Sequence, residues 1–373
     1  MNRFGLTTIC LLPLLYGCSK DSTDTTDDTS DTIDTSDTVD TSDTEDTEDT
    51  EDTEDTEDTE EPVNPMVQNA EDAYADAIDG LGDADITRIE TVTTWATLSA
   101  PNVYLQVVYP TLMLQFHIQD WTEQGNTGLP NCPALVGFNE DGSTETETSA
   151  TGGCTDHNGI EWLGSYQQGI DSELGYYIYQ DGFGQVSPNP DCNNELSRTA
   201  FTSLTIVDMS NGTEPVFDIT LAIENEGPDA SNNCAMSSGK FGLQGTLSAV
   251  SEELEGGASQ TTYNHDVNVG VNDATDASGL ATVTTVDEIT NDTVCATEAS
   301  SGTTTIDANG NTVVINYDGA TDCDEDSTVT WSLNGNDQGE MDGISCSTMG
   351  TPNGKWAVFA VFGILLLNQR RRA

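Results

Sequence analysis

The segment that most limits how this chain can fold is a long acidic tract from residue 21 to residue 61. It contains 14 Asp and 7 Glu residues, with no Lys, no Arg and no aromatic residue. From Asp28 to Glu60 it is an unbroken series of Asp-Thr-x triplets. Such a segment cannot bury enough apolar surface to offset its ordering entropy, and its like charges repel one another. We therefore expect a disordered tether, either a solvated spacer or a tract that adsorbs calcium or a surface.

The tract follows a short N-terminal segment that is typical of an export signal. Residues 1–17 carry one early charge, Arg3, and an apolar run from Ile9 to Tyr16 that is too short to span a bilayer. Leu15-Tyr16-Gly17-Cys18 resembles the lipobox of bacterial lipoproteins. The resemblance implies that diacylglycerol is attached to Cys18 and that residues 18–61 form the lipid anchor and tether. An ordinary secretory signal with a chance cysteine is the alternative.

The C-terminal residues 346–373 contain a second membrane-related pattern. Cys346 precedes twelve uncharged residues, Trp356 to Leu367, and a cluster Arg370-Arg371-Arg372. A twelve-residue helix is about 18 Å long, short of the roughly 30 Å hydrocarbon core. The segment resembles the C-terminal sorting signals of myxobacteria and their relatives, in which a cysteine motif, a short apolar helix and an arginine cluster follow one another. The alternative is a hydrophobic helix with basic stop-transfer residues. Together with the lipobox, this predicts an exported protein that is lipid-anchored at the outer membrane or cell surface.

Charge restricts the partners of the remaining body, residues 62–345. It holds 45 acidic residues against three cations, Arg88, Arg198 and Lys240. Three cations cannot form the basic surface that binds phosphates, so nucleic acid is excluded as a partner.

The cysteines of the body indicate disulfide bonds. An exported chain favours disulfides over thiols, and the absence of a Cys-x-x-Cys pair gives no support to a cysteine-based zinc or redox site. Six cysteines allow 15 pairings, but their order suggests three local loops: Cys132–Cys154, Cys192–Cys234 and Cys295–Cys323. Cys346 is left over for the C-terminal tail.

Residues 62–130 are expected to form a mixed N-terminal part of the body. Asn64 and Pro65 are typical of a helix start, and they predict a helix over residues 66–79 that ends at Gly80. The secondary structure of residues 86–121 is not assigned from the sequence. Leu112, Leu114, Phe116 and Ile118 alternate as in a strand, while a helix after Pro110 is also allowed.

Residues 131–345 predict a mainly β fold, an antiparallel disulfide-stapled body built as a sandwich or as stacked hairpin modules. Eight short apolar runs read as strands: Leu135–Phe138, Tyr176–Tyr179, Leu204–Val207, Phe217–Ile223, Val267–Val271, Ala281–Val286, Val313–Tyr317 and Val329–Leu333. Turn residues separate several of them, as in Glu140-Asp141-Gly142, Asn158-Gly159 and Asn309-Gly310. A cysteine precedes a tryptophan by eight residues at Cys154/Trp162 and Cys323/Trp331, which suggests a repeated module whose tryptophan packs beside a disulfide.

The sequence assigns no catalytic residue. His117, His157 and His265 lie far apart without a His-Glu-x-x-His pattern, and we expect exposed or hydrogen-bonded side chains. Ser237-Ser238-Gly239-Lys240 has Ser-x-x-Lys spacing but lacks the companion motifs, and it is placed in a glycine-rich loop.

Calcium is the one cofactor that the sequence raises. Asp322, Asp324 and Asp326 alternate as ligands of a hard cation do, but Ser327 and Leu333 replace the glycine and glutamate of an EF-hand. An irregular calcium-binding turn and a solvated acidic turn remain the two interpretations.

These features favour a structural or binding role for a protein of the cell envelope, with another envelope protein or a glycan as partner. The alternative is a carboxylate-based hydrolase, for example a glycan-active one, tethered to the envelope. An aromatic-lined cleft that brings together two carboxyl groups of raised pKa would favour the hydrolase.

Overall fold

The computed structural model of the chain describes residues 63–96, 98–189, 192–210, 214–229, 234–254, 259–272, 277–291, 295–317 and 328–342. Outside these residues lie Cys18, the acidic tract, Asp322, Cys323, Asp324, Asp326 and Cys346, and the side chain of Cys295 is likewise not described.

In the described part of the chain, three helices precede the strands: α1 (Pro65–Ile78), α2 (Ile89–Ala96) and α3 (Ala100–Glu123). The predicted first helix is confirmed together with its start signal, because the Asn64 side chain accepts a hydrogen bond of 3.0 Å from the Met66 backbone N–H. Gly80 follows the helix with a φ of 72°, a conformation that is easy for glycine. Local sequence signals are therefore sufficient to define α1.

Fourteen strands follow among the described residues, in chain order: β1 (Ala134–Phe138), β2 (Thr144–Thr151), β3 (Cys154–Thr155), β4 (Glu161–Asp171), β5 (Gly175–Asn189), β6 (Glu195–Asp208), β7 (Val216–Asp229), β8 (Ala235–Glu253), β9 (Ser259–Asn272), β10 (Gly279–Asn291), β11 (Cys295–Ala308), β12 (Asn311–Tyr317), β13 (Thr328–Leu333) and β14 (Asn336–Asp342).

The strands form one antiparallel sheet in which neighbours in the chain are also neighbours in space. The order runs from β1 to β14 without a crossover, and the two-residue β3 stands off this path, paired with β4. All eight predicted runs lie within strands. The mainly β prediction is therefore confirmed, and of the two arrangements expected, the described strands form successive hairpins side by side in one sheet.

Helix α3 lies in the main hydrophobic core. Val103, Tyr104, Tyr109, Pro110 and Leu112 are all buried. Successive helix positions are 100° apart, so these side chains point in different directions and the helix is covered around its circumference. Such an all-round apolar helix carries no amphipathic period, which is why residues 86–121 could not be assigned from sequence.

Strands that are distant in the sheet contact the same helix. The Tyr104 ring lies 5.8 Å from that of Phe217 in β7 and 5.9 Å from that of Tyr263 in β9. Further along α3, the Thr111 hydroxyl lies 3.0 Å from the Tyr166 hydroxyl in β4. Helix α3 therefore lies across several strands of the sheet, from β4 to β9.

Helix α1 packs on the opposite face of the sheet. Its Ile78 side chain lies over Gly242 in β8 and Gly270 in β9, and a Cβ atom at Gly242 would approach Ile78 Cγ2 to 2.8 Å. The missing side chains thus permit close contact between helix and sheet.

The placement of Ser237-Ser238-Gly239-Lys240 in a loop was wrong. These residues belong to β8, which pairs with β7 along this stretch. Ladder hydrogen bonds to β7 override the glycine signal, and Lys240 forms ion pairs with Asp76 and, at 3.5 Å, with Glu224.

Candidate functional site

A cluster of histidine and aspartate side chains lies where the C-terminal half of α3 meets the turn between β3 and β4. His117 and Asp120 come from the helix, and Asp156 and His157 come from the turn. One ligand atom each from His117, Asp156 and His157 lies within 4.8 Å of the others. Among the described residues, this is the one group of three or more such side chains with the spacing of a metal site.

A disulfide bond positions the turn. Cys132 and Cys154 pair as predicted, with their Cα atoms 5.9 Å apart. Asp156 Oδ1 accepts the backbone N–H groups of Asn158 at 2.8 Å and Ile160 at 3.0 Å, while Gly159 adopts a φ of 81°. The Asp-His-Asn-Gly sequence is therefore folded by aspartate-backbone hydrogen bonds and by glycine at a positive φ, as its composition predicts.

His117 connects the helix to this turn. Its Nε2 lies 2.7 Å from the carbonyl oxygen of Cys132, and its Nδ1 lies 3.4 Å from Asp156 Oδ2. Both side chains are buried, with exposures of 5% and 1%. Burial lowers the pKa of His117, against the opposing effects of the Cys132 carbonyl and the Asp156 carboxylate.

His157 and Asp120 form the solvent-accessible edge of the cluster. His157 Nε2 lies 3.2 Å from Asp120 Oδ2, and their side chains are 20% and 25% exposed. The Asp120 oxygen also accepts hydrogen bonds from Asn158 Nδ2 at 2.8 Å and Gln124 Nε2 at 3.0 Å. Burial raises the pKa of Asp120, but the hydrogen bonds from Asn158, Gln124 and His157 outweigh it and hold that pKa below its ordinary value.

Aromatic rings surround the cluster. The Trp162 ring centroid lies 4.9 Å from that of His117, and Trp121 lies 5.1 Å from His157. Trp162 is fully buried and its Nε1 donates a 3.0 Å hydrogen bond to Asp156 Oδ2. Since Cys154 is its direct partner across β3 and β4, the expectation that a tryptophan packs beside the disulfide is confirmed here. Full burial leaves Trp162 no surface for a glycan.

The remaining predicted cysteine sites divide into two groups. The Cys192–Cys234 bond is present and joins the β5–β6 connection to the start of β8. The other predicted sites involve positions outside the described residues. They are the Cys295–Cys323 pair, the calcium-ligand candidates Asp322, Asp324 and Asp326, the lipid-attachment residue Cys18 and the sorting-tail residue Cys346.

Two further ionisable groups are buried away from this cluster. His265 in β9 has its Nε2 3.3 Å from the Thr285 hydroxyl, and burial lowers its pKa to about 3. Glu288 in β10 accepts the backbone N–H of Ala100 at 3.1 Å, and burial raises its pKa to about 8. Glu288 lies in the core at the start of α3 and not in an aromatic-lined cleft.

Sequence inspection did not find the His/Asp cluster. His117 and Asp120 are three residues apart, a spacing that places both on one face of a helix, but α3 was not recognised as a helix. The other half, Asp156-His157, lies two residues after a disulfide cysteine that was predicted correctly. Placing α3 was therefore the missing step.

An open depression lies on the outer face of the sheet beside α1. Its volume is about 530 Å³, within the range of ligand sites in proteins. Apolar groups from Tyr74, Ile78 and Leu280 line it together with polar groups from Asn268 and Asp307.

No helix among the described residues combines the length and the apolar composition that a membrane crossing requires. The chain matches no protein-family model, no curated protein and no solved structure at a significant level.

Proposed function

We propose that this protein is an exported lipoprotein of the cell envelope, held at the outer membrane or cell surface through Cys18, whose β-rich body has a structural or binding role. The observation that carries the proposal is the pair of disulfide bonds in the body. Disulfides form and persist in oxidising compartments, so they fit an extracellular or exported protein.

The acidic tract supports the same role. A charged tether of 41 residues could extend roughly 140 Å when stretched, enough to hold the body well away from a membrane. Repulsion between the tether and an anionic surface acts in the same direction.

Intact mass of the protein extracted from its native envelope tests the proposal. We expect a chain that begins at diacylated Cys18, lacks the residues after about Cys346 and carries three disulfides. An unlipidated chain that keeps its arginine cluster would overturn the anchor.

Two cysteine variants give a matched test in cells. Cys18→Ser is expected to move the protein out of the membrane fraction, because it removes the proposed lipid-attachment atom. Cys10→Ser, in the same N-terminal segment, is expected to leave the protein in the membrane fraction. Equal distribution of the two variants would contradict lipid attachment at Cys18.

The depression beside α1 is the surface that we assign to a glycan partner. Carboxylate and amide groups such as those of Asp307 and Asn268 can hydrogen-bond sugar hydroxyls, while Tyr74 and Leu280 provide an apolar floor. Cosedimentation with purified envelope polysaccharide should fall about tenfold for Asn268→Ala, which corresponds to roughly 1.4 kcal/mol. Asp266→Ala, two residues along the same strand and outside the depression, is the control. Equal cosedimentation of both variants with the polysaccharide would contradict glycan binding in this depression.

A further inference from the structure

The strongest unexplained feature of the body is the way that His117 faces two hydrogen-bond acceptors. Its Nε2 lies 2.7 Å from the Cys132 carbonyl oxygen. A carbonyl oxygen only accepts, so Nε2 must carry a proton and donate it. In a neutral ring the second nitrogen, Nδ1, then has no proton and is an acceptor. It faces Asp156 Oδ2, which is also an acceptor. A cation, or a proton carried by the ring or by the carboxyl group, must lie between them.

The hydrogen bonds of Asp156 leave one acceptor position open toward His117. A carboxylate offers about four lone-pair positions. The backbone N–H groups of Asn158 and Ile160 occupy Oδ1, and Trp162 Nε1 donates to Oδ2. These three donors hold the carboxylate rigidly, so its remaining position on Oδ2 is fixed in direction before any ligand arrives.

The distance between the two acceptors favours a metal ion over a shared proton. His117 Nδ1 and Asp156 Oδ2 are 3.4 Å apart. A charge-assisted N–H···O hydrogen bond is shorter, about 2.7–2.9 Å. Two ligands bound tetrahedrally at about 2.0–2.1 Å from zinc are roughly 3.4 Å from each other, which is the separation found here.

His157 is the third potential ligand. Its Nε2 lies 3.2 Å from Asp120 Oδ2 and 3.1 Å from Gln124 Nε2. Asp120 can accept the Nε2 proton, and Nδ1 is then the ring nitrogen that can bind a metal. A metal-bound histidine commonly donates its other ring N–H to a carboxylate or a carbonyl oxygen. Cys132 provides the carbonyl for His117, and Asp120 provides the carboxylate for His157.

We propose that His117, Asp156 and His157 bind one divalent transition-metal ion of the zinc type. Two imidazoles and one carboxylate suit zinc, whereas calcium prefers six to eight oxygen ligands. The 20% exposure of His157 places the third ligand beside solvent, where a water molecule can occupy the fourth position. The proposal goes beyond the envelope role and does not depend on how the chain is anchored.

Calorimetric titration of the full chain with ZnCl₂ after chelator treatment tests this site. The protein is purified in detergent, and the same samples are followed by thermal unfolding. We expect saturable binding of one ion per chain and a higher Tm with zinc, because a ligand that binds only the folded state stabilises it. The addition of CaCl₂ at the same concentration controls for weak uptake by the acidic tract.

His157→Ala is the decisive variant, since His157 is partly exposed and its loss leaves the buried core contacts of His117 in place. We expect zinc affinity to fall by roughly 100-fold or more and the zinc-dependent rise in Tm to disappear. Asp141→Ala removes an acidic side chain from another turn, between β1 and β2, and should bind zinc as the unmodified chain does. Unsaturable, salt-sensitive uptake that is equal in all three proteins, with no change in Tm, would overturn the proposal and assign the His117–Asp156 contact to a shared proton.

Discussion

The two ends of α3 are held in the core by different chemistry. At the N-terminal end, Glu288 comes from β10, 188 residues away, and accepts the Ala100 backbone N–H and the Ser99 hydroxyl. At the other end, His117 contacts Asp156, whose carboxylate has three fixed donors from its own turn and from Trp162.

The difference lies in what each end requires from the solution. Glu288 is buried with two donors, and desolvation dominates, so its pKa rises to about 8 and it keeps a proton at neutral pH. The cluster at the other end presents acceptors to each other and is suited to a cation. One end of the helix should therefore respond to pH and the other to metal ions, and four predictions test this contrast.

The largest expected effect is the pH dependence of stability that comes from Glu288. The unfolded side chain loses its proton above about 4.5 while the folded one keeps it until about 8. The folded state therefore binds more protons in this window, and the contribution of Glu288 to the free energy of unfolding should fall by on the order of 4 kcal/mol as pH rises from 4.5 to 8. Glu288→Gln should abolish this fall and be more stable than the unmodified chain at pH 8 in chemical denaturation.

His265 provides an opposite slope on the acid side. Its folded pKa of about 3 lies below its ordinary value of 6.5, so stability should be lost as pH falls from 6.5 toward 3. Between 4.5 and 6.5 the two slopes oppose each other, and we expect maximal stability there. A stability curve for Glu288→Gln that still declines from pH 5 to pH 8 would contradict this account.

The second prediction compares the two disulfides. Replacing Cys132 and Cys154 by Ala, or Cys192 and Cys234 by Ala, should each cost about 3 kcal/mol of unfolding free energy. Loop entropy alone makes the longer Cys192–Cys234 loop slightly more costly to lose, with 42 residues of separation against 22. We expect the reverse order, because the Cys132–Cys154 bond also fixes the position of the Cys132 backbone carbonyl that contacts His117.

Denaturation with and without zinc separates these two disulfide variants further. The response to zinc should disappear with the first disulfide and persist without the second. A larger loss of stability for the Cys192/Cys234 variant, with zinc binding retained in both variants, would show that the contact of His117 with the Cys132 carbonyl contributes neither to stability nor to zinc binding.

The third prediction compares two buried tryptophans, one near each end of α3. Trp162 donates its N–H to Asp156, whereas Trp95 in α2 is equally buried and its Nε1 has no hydrogen-bond partner among the described residues. Both Trp→Phe changes remove similar volume, so their difference isolates the hydrogen bond. Trp162→Phe should be more destabilising by about 1.5–3 kcal/mol in denaturant unfolding, because the acceptor is charged. Equal losses would refute the role of Trp162 in orienting Asp156.

The smallest effect is expected at α1, which is capped by its own sequence. Asn64→Ala removes the side-chain hydrogen bond to the Met66 backbone, together with an exposed 3.4 Å hydrogen bond to Glu173 Oε2, and should cost about 1 kcal/mol. Because Asn64 does not titrate, this cost should be the same at pH 5 and pH 8, unlike that of Glu288→Gln. A pH-dependent cost would show that the start of α1 is coupled to an ionisable group.

Local patterns predicted much of the fold because their physical causes are local. Asn64, Pro65 and Gly80 define α1, and Asn309-Gly310 forms a turn with φ values of 49° and 72°. Alternating apolar residues marked eight strands since one face of each is buried. None of the eight predicted runs lies in β8, because its glycines and serines dilute the apolar alternation and its pairing with β7 and β9 is a long-range effect.

By itself, the sequence determined the acidic composition of residues 21–61, the mainly β class of the body and two disulfide pairs, because composition, alternation and chain order act over short distances. Only the tertiary structure decided that residues 100–123 are a helix in the core, since burial on all sides erases the amphipathic period. It also brought His117 within reach of Asp156 and His157, about 40 positions further along the chain. That contact depends on how the sheet packs against α3, and no local pattern contains this information.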